Sequence, residues 1–164
     1  MPAMNTLLLC VLMGLSVSIP VFARIGETPA ESIKRYGAAV KVDKEKNRMV
    51  FHKAGLEIFS DFMDGKAVHM GFRKIETDAI GNPVELSDTQ IEILLESESA
   101  GSKWEKDIHP EDGMTDIWNT KDGLRLAVYD RSHSNRLLTV TTYAYCQKRE
   151  EEVTKKEKKA LEGL

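Results

Sequence analysis

Four histidines, His52, His69, His109 and His133, are the side chains best suited to proton chemistry near neutral pH. None stands in an H-E-x-x-H or comparable ligand pair. Asp107, His109, Glu111, Asp112 and Asp116 crowd one stretch and offer hard oxygen ligands. Pro110 breaks the alternating spacing that calcium loops use, so the stretch reads as a solvated acidic loop. Ser132-His133-Ser134 places nucleophile and base side by side in sequence. Activation requires them to be held at hydrogen-bonding distance by the fold, which adjacency on a loop does not provide. There is no glycine-rich phosphate loop. Cys146 shares strand parity with Leu138, Val140 and Ala144, which reads as a buried, inert thiol. The chain is accordingly read as a non-enzyme with no cofactor and no metal.

What remains is a surface. If Leu124, Leu126 and Val128 face the helices together with Leu138, Val140 and Ala144, then Arg125, Tyr129, Thr139, Thr141, Tyr143 and Tyr145 point the other way. Phe59 and His69 join them from an earlier hairpin. A sheet with helices on one side leaves its other face open. Aromatics with arginine have the composition of a binding surface. The expected binding residues are Phe59, His69, Arg125, Tyr129, Tyr143 and Tyr145.

The hairpin that presents Phe59 and His69 runs from Phe51 to Ile75, with Met63-Asp64-Gly65-Lys66 at its tip. A two-residue turn at Asp64-Gly65 would pair Glu57 with Phe72 and Leu56 with Arg73, mixing apolar and charged residues on both faces. A three-residue loop, Met63-Asp64-Gly65, puts Leu56 opposite Phe72, Ile58 opposite Met70 and Ser60 opposite Val68. The second register leaves one clean apolar side and is preferred, because a one-residue slip exchanges the faces.

Two capping boxes place the helices. Thr28-Pro29-Ala30-Glu31 opens the first, with Ile33 and Tyr36 on its apolar side and Gly37 at its end. Ser87-Asp88-Thr89-Gln90 opens the second, with Leu86 as a staple and Ile91, Leu94 and Leu95 facing inward. Strands are expected at 40–42, 49–51, 115–119, 123–130 and 137–147, besides the hairpin. Lys53-Ala54-Gly55-Leu56 resembles Lys121-Asp122-Gly123-Leu124, and each follows a capped helix. The element order suggests a degenerate tandem α–β repeat with halves 24–84 and 85–147. Residues 148–164 carry Glu151/Lys155 and Glu152/Lys156 at helical spacing and read as a charged C-terminal helix or tail. The fold class is α+β: an antiparallel sheet with two short helices on one face.

The capped helix ending in Lys34-Arg35-Tyr36-Gly37, followed by strands and a hairpin tipped by Phe62-Met63-Asp64-Gly65-Lys66, resembles the small exported α+β modules of the SmpA/OmlA and β-lactamase-inhibitor-like group. That group includes outer-membrane assembly lipoproteins and secreted enzyme inhibitors. Arg24 stands where the lipoproteins carry a lipidated cysteine, and the inhibitors are tied by disulfides. The resemblance therefore implies fold and compartment rather than a partner.

Leu7 to Ile19 is an uncharged apolar run, broken by Pro20 and followed by Val21-Phe22-Ala23. It reads as a secretory signal peptide cut after Ala23, and it is too short to span a membrane. Residues 24–147 then form one domain. Of the two cysteines, Cys10 and Cys146, only Cys146 is exported, so no internal disulfide is possible. A net charge of −3 is too mild to imply nucleic acid. The leading expectation is a secreted or periplasmic binding or inhibitor-like module for an envelope or extracellular protein. A small-ligand carrier and a small hydrolase are the alternatives.

Overall fold

The computed structural model describes residues 24–107 and 113–162. Eight antiparallel strands form one sheet: β1 (Lys41–Asp43), β2 (Arg48–Lys53), β3 (Leu56–Met63), β4 (Lys66–Lys74), β5 (Trp104–Lys106), β6 (Thr115–Thr120), β7 (Arg125–Asp130) and β8 (Leu137–Thr142). Their lateral order is β1-β2-β3-β4-β8-β7-β6-β5. Each run of four consecutive strands is a meander, and the two meanders meet where β4 pairs with β8.

Helix α1 (Pro29–Tyr36) precedes the first meander and α2 (Asp88–Glu98) the second. Both capping boxes form as the local sequence dictates. Thr28 and Glu31 exchange hydrogen bonds, as do Ser87 and Gln90, so orphan amides at each N-terminus are satisfied. Gly37, at φ 94°, stops α1 in a conformation that disfavours a side chain. The helices share one face of the sheet. Tyr36, Leu86, Ile91, Leu94 and Leu95 pack there against Phe51, Ile58, Met70, Phe72, Leu138 and Val140. Ile33, expected inward, is 42% exposed, and α1 instead buries Ser32 and Tyr36. These two lie one turn apart on the side that meets β2, where the Tyr36 ring packs 5.2 Å from Phe51.

The hairpin differs from expectation in an instructive way. Its turn has two residues, Asp64 (φ 51°) and Gly65 (φ 74°), as a type I′ turn requires. Pairing then shifts between Asp61 and Phe62, so that Phe62 faces Ala67 while Asp61 faces His69, and Val68 is the extra residue of a β-bulge. Ile58 consequently pairs with Phe72 and Ser60 with Met70, two residues along β4 from the expected partners. A displacement of two preserves parity. Ile58, Ser60, Met70 and Phe72 remain on the helix side, and Phe59, Asp61, His69 and Arg73 on the other.

On β7 the parity is reversed. Ala127 and Tyr129 face the helices and are fully buried, whereas Leu126 and Val128 lie on the open face and Leu124 is 61% exposed. Tyr129 is an amphipathic core residue. Its ring is enclosed and its hydroxyl accepts a hydrogen bond of 3.0 Å from the Leu86 amide at the entry to α2. Ala127 lies between Trp118 and Val140 on this face.

The strand expected over 137–147 ends at Thr142, whose side chain accepts from the Tyr145 amide and starts α3 (Tyr143–Leu161). None of the α3 side chains is fully buried. Glu150, Glu151 and Glu152 precede Lys155, Lys156, Lys158 and Lys159, an order that complements the helix dipole and supports a helix in water.

Candidate binding face

On the face away from α1 and α2, the register aligns Val50, Phe59, Gly71, Thr139, Val128 and Ile117 in one lateral row across six strands. Apart from Gly71, which is buried, each is half-buried. A second row holds Asp61, His69, Thr141, Leu126 and Asn119.

One end of these rows carries a stack of charge and rings. Arg48 on β2 pairs with Asp61 on β3 through both Nε and Nη2, the latter 2.8 Å from Oδ2. The two residues are direct cross-strand partners, so the fork-to-carboxylate geometry follows from register. The same guanidinium lies 4.1 Å from the Phe59 ring centre, within cation–π range. Phe59 lies 5.4 Å from the His69 ring, and His69 stacks on Tyr145 at 5.5 Å and 17°. The Tyr145 hydroxyl closes the loop by donating to Asp61 Oδ2 at 3.3 Å.

His69 is held toward its neutral form. Burial is the largest cause, and the cations Arg48 and Arg149 act the same way, with Asp61 opposing them. Its Nδ1 is buried without a partner. Burial raises the Tyr145 phenol, and the charge of Asp61 adds to this.

Three of the expected residues, Phe59, His69 and Tyr145, are thus brought together. Tyr143 and Tyr145 belong to α3 rather than to a strand, yet both reach back over the open face. Tyr143 does so toward β6, where its hydroxyl donates to Asn119 Oδ1 at 2.6 Å. Arg125 and Tyr129 are corrected. Tyr129 is buried on the opposite face, as described above. Arg125 pairs with Thr142 on that side and donates from Nη1 to the Ser99 carbonyl at 3.3 Å. Arg48, Asp61, Leu126, Val128 and Ile117 join the site. A signal for Arg48 and Asp61 exists in sequence as opposite charges at facing positions, but it can be read only once β2 and β3 are in register.

No protein-family model, no curated protein and no solved structure matches this chain. The site must therefore be read from its own geometry.

Among the described residues no cluster of three or more His, Cys, Asp or Glu side chains could hold a metal ion. His109, Glu111 and Asp112 of the acidic stretch lie outside the described residues. Asp116 is engaged by Lys106 at 2.6 Å and by Arg131 Nε at 2.7 Å, and both cations hold its carboxyl low against the opposing effect of burial. His133 is exposed on the turn before β8. Cys146 is half-buried in the first turn of α3, its thiol 3.9 Å from Thr141 Oγ1. No described helix is long and apolar enough to cross a membrane.

Proposed function

We propose that this chain is an exported, non-enzymatic binding module that engages another envelope or extracellular protein through its open sheet face. The observation that carries the reading is the half-exposed aliphatic row ending in the Arg48–Phe59–His69–Tyr145 stack, on the face opposite the two packed helices. Rigid rings anchored by an arginine lose little entropy on binding and typically carry much of an interface's energy. The helix side of the sheet is filled by Phe51, Phe72, Tyr129 and Leu138, each fully buried, which favours a binding face over an internal carrier pocket.

Export is part of the same reading. It rests on the uncharged run Leu7 to Ile19 and on Val21-Phe22-Ala23, which offers small residues where a signal peptidase reads. An origin by tandem repeat is supported by the element order, a capped helix and four antiparallel strands, twice over. The likeness of Lys34 to Gly37 and Phe62 to Lys66 to small exported α+β modules fits this reading.

The test is co-purification of the native protein from its own envelope fraction, repeated with Phe59→Ala and Tyr145→Ala. Each variant should fold, because both rings are half-exposed, and should weaken the partner by about 2 kcal/mol or more. Folded variants that retain the partner would exclude this face as its binding site.

A further inference from the structure

Glu98 closes α2 and is 1% exposed. One carboxylate oxygen, Oε2, accepts a hydrogen bond of 2.7 Å from the Ile25 amide, and the other, Oε1, is buried with no partner. The charged and titratable groups around it come from the N-terminal segment (Glu27), from α1 (Arg35 and Tyr36) and from β7 (Arg125). Neither cation is ion-paired with Glu98: Arg35 is occupied by Glu27, and Arg125 donates to the Ser99 carbonyl while its Nε is buried without a partner. Burial, with Glu27 adding to it, pushes the Glu98 carboxyl up to about 8. Among the described residues no cation is ion-paired with this carboxyl, and its Oε1 is left without a partner.

The segment that reaches it is firmly placed. The Gly26 amide donates to the Ala67 carbonyl and the Ala67 amide to the Glu27 carbonyl, both at 2.7 Å, which pins residues 26 and 27 to the start of β4. Successive backbone nitrogens are at most about 3.6 Å apart. Since the Ile25 nitrogen is 2.7 Å from Glu98 Oε2, the Arg24 nitrogen lies no more than about 6 Å from it.

We propose that the α-ammonium freed by cleavage between Ala23 and Arg24 is the counter-ion of Glu98, so that processing seats the new N-terminus on this carboxyl and tightens the fold. The inference rests on the export reading above. Hydrolysis of the Ala23–Arg24 bond consumes one water. Ala23 departs as a carboxylate, and Arg24 gains an amine that takes up a proton below its reference pKa of about 8. In the uncleaved chain the same nitrogen is a neutral amide and leaves Glu98 without a cation. A leader-bearing chain is then less stable than its product, which suits a protein that must stay unfolded until it has crossed a membrane.

The experiment expresses the full chain with its own leader in a secreting host, beside a chain with two glycines inserted between Ala23 and Arg24. The intact mass of each exported product fixes its N-terminus, and thermal unfolding is followed from about pH 4 to 10. The native product should melt at least about 3 °C higher than the inserted one near pH 6–7. The gap should close as pH falls through the folded pKa of Glu98 in the native product, below which the carboxyl is protonated in both folded products, and above about pH 9, where the amine is neutral. Glu98→Gln should abolish the gap at every pH. Carbon-13 titration of the Glu98 carboxyl supplies a readout that needs no variant of that residue, and it should give a lower pKa in the native product. Coincident melting curves and carboxyl titrations for a product that does begin at Arg24 would overturn the counter-ion assignment alone. A native product that begins elsewhere would overturn it together with the processing reading.

Discussion

Phe59 and Gly71 face each other across β3 and β4, and the Phe59 ring lies over the space a side chain at position 71 would occupy. A Cβ at that position would collide with the ring carbons. The glycine weakens a central strand, and the aromatic ring covers the gap it leaves. Gly71→Ala should therefore expel the ring from the sheet surface. The expected signature is loss of the ring-current shift on His69, with a stability cost of about 1 kcal/mol from the displaced ring. An unchanged His69 spectrum in this variant would show that the ring does not rest there in solution.

The two faces of the sheet can be told apart by stability alone. Ile58→Ala, on the helix side of β3, should cost about 2–5 kcal/mol. Leu124→Ala should stay within about 0.5 kcal/mol, since its side chain is mostly in water. Tyr129→Phe keeps the ring but leaves the Leu86 amide without its acceptor, at about 1–3 kcal/mol. Urea unfolding of the three variants checks the order. A Leu124→Ala loss matching that of Ile58→Ala would reverse the assignment of β7.

His69 makes stability sensitive to acid. Its folded pKa lies below the unfolded value of about 6.5, so the folded state resists protonation. The contribution is complete above about pH 6.5 and is lost as pH falls through that value toward the folded pKa. Denaturation at pH 8 and pH 5 should show the decline, and His69→Phe should reduce it. Asp61→Asn removes the one neighbour that favours the imidazolium, so the His69 titration observed by NMR should move further down. An upward shift in that variant would refute the electrostatic account of the cluster.

The local parts of this fold are legible in sequence, and the non-local parts are less so. Thr28 to Glu31 and Ser87 to Gln90 announce helix starts because a capping box is complete within four residues. The faces of the first hairpin are legible because charge falls on one side and aliphatics on the other. Its register is not, because nothing in Ala67-Val68-His69 marks Val68 as the residue a bulge will skip. β7 misleads for a different reason. Leu124, Leu126 and Val128 outweigh Ala127 and Tyr129 in aliphatic content, yet the open face is itself aliphatic, so apolar content does not choose between sides. What decides is a partner 43 residues away, the Leu86 amide, which gives the Tyr129 hydroxyl a place inside. Thr142-Tyr143-Ala144-Tyr145 has strand-like composition, and the cap made by Thr142 starts a helix there instead. Phe59, His69 and Tyr145 are therefore readable as candidates, while the Arg48–Asp61 pair that organises them emerges with the register of β2 and β3.

The seam between the meanders bears on how the chain assembles. Within each meander every strand pairs with its neighbour in sequence, so six of the seven strand pairings close only short loops. The seventh joins residues 69–72 to residues 138–141, and it is the one strand pairing that must wait for most of the chain. Loop closure then predicts that the encounter of β4 with β8 limits the rate of the whole. Substitutions at Met70 or Val140, which meet at that seam, should slow refolding more than substitutions of equal cost at Phe51 or Trp118, and stopped-flow refolding would resolve the difference.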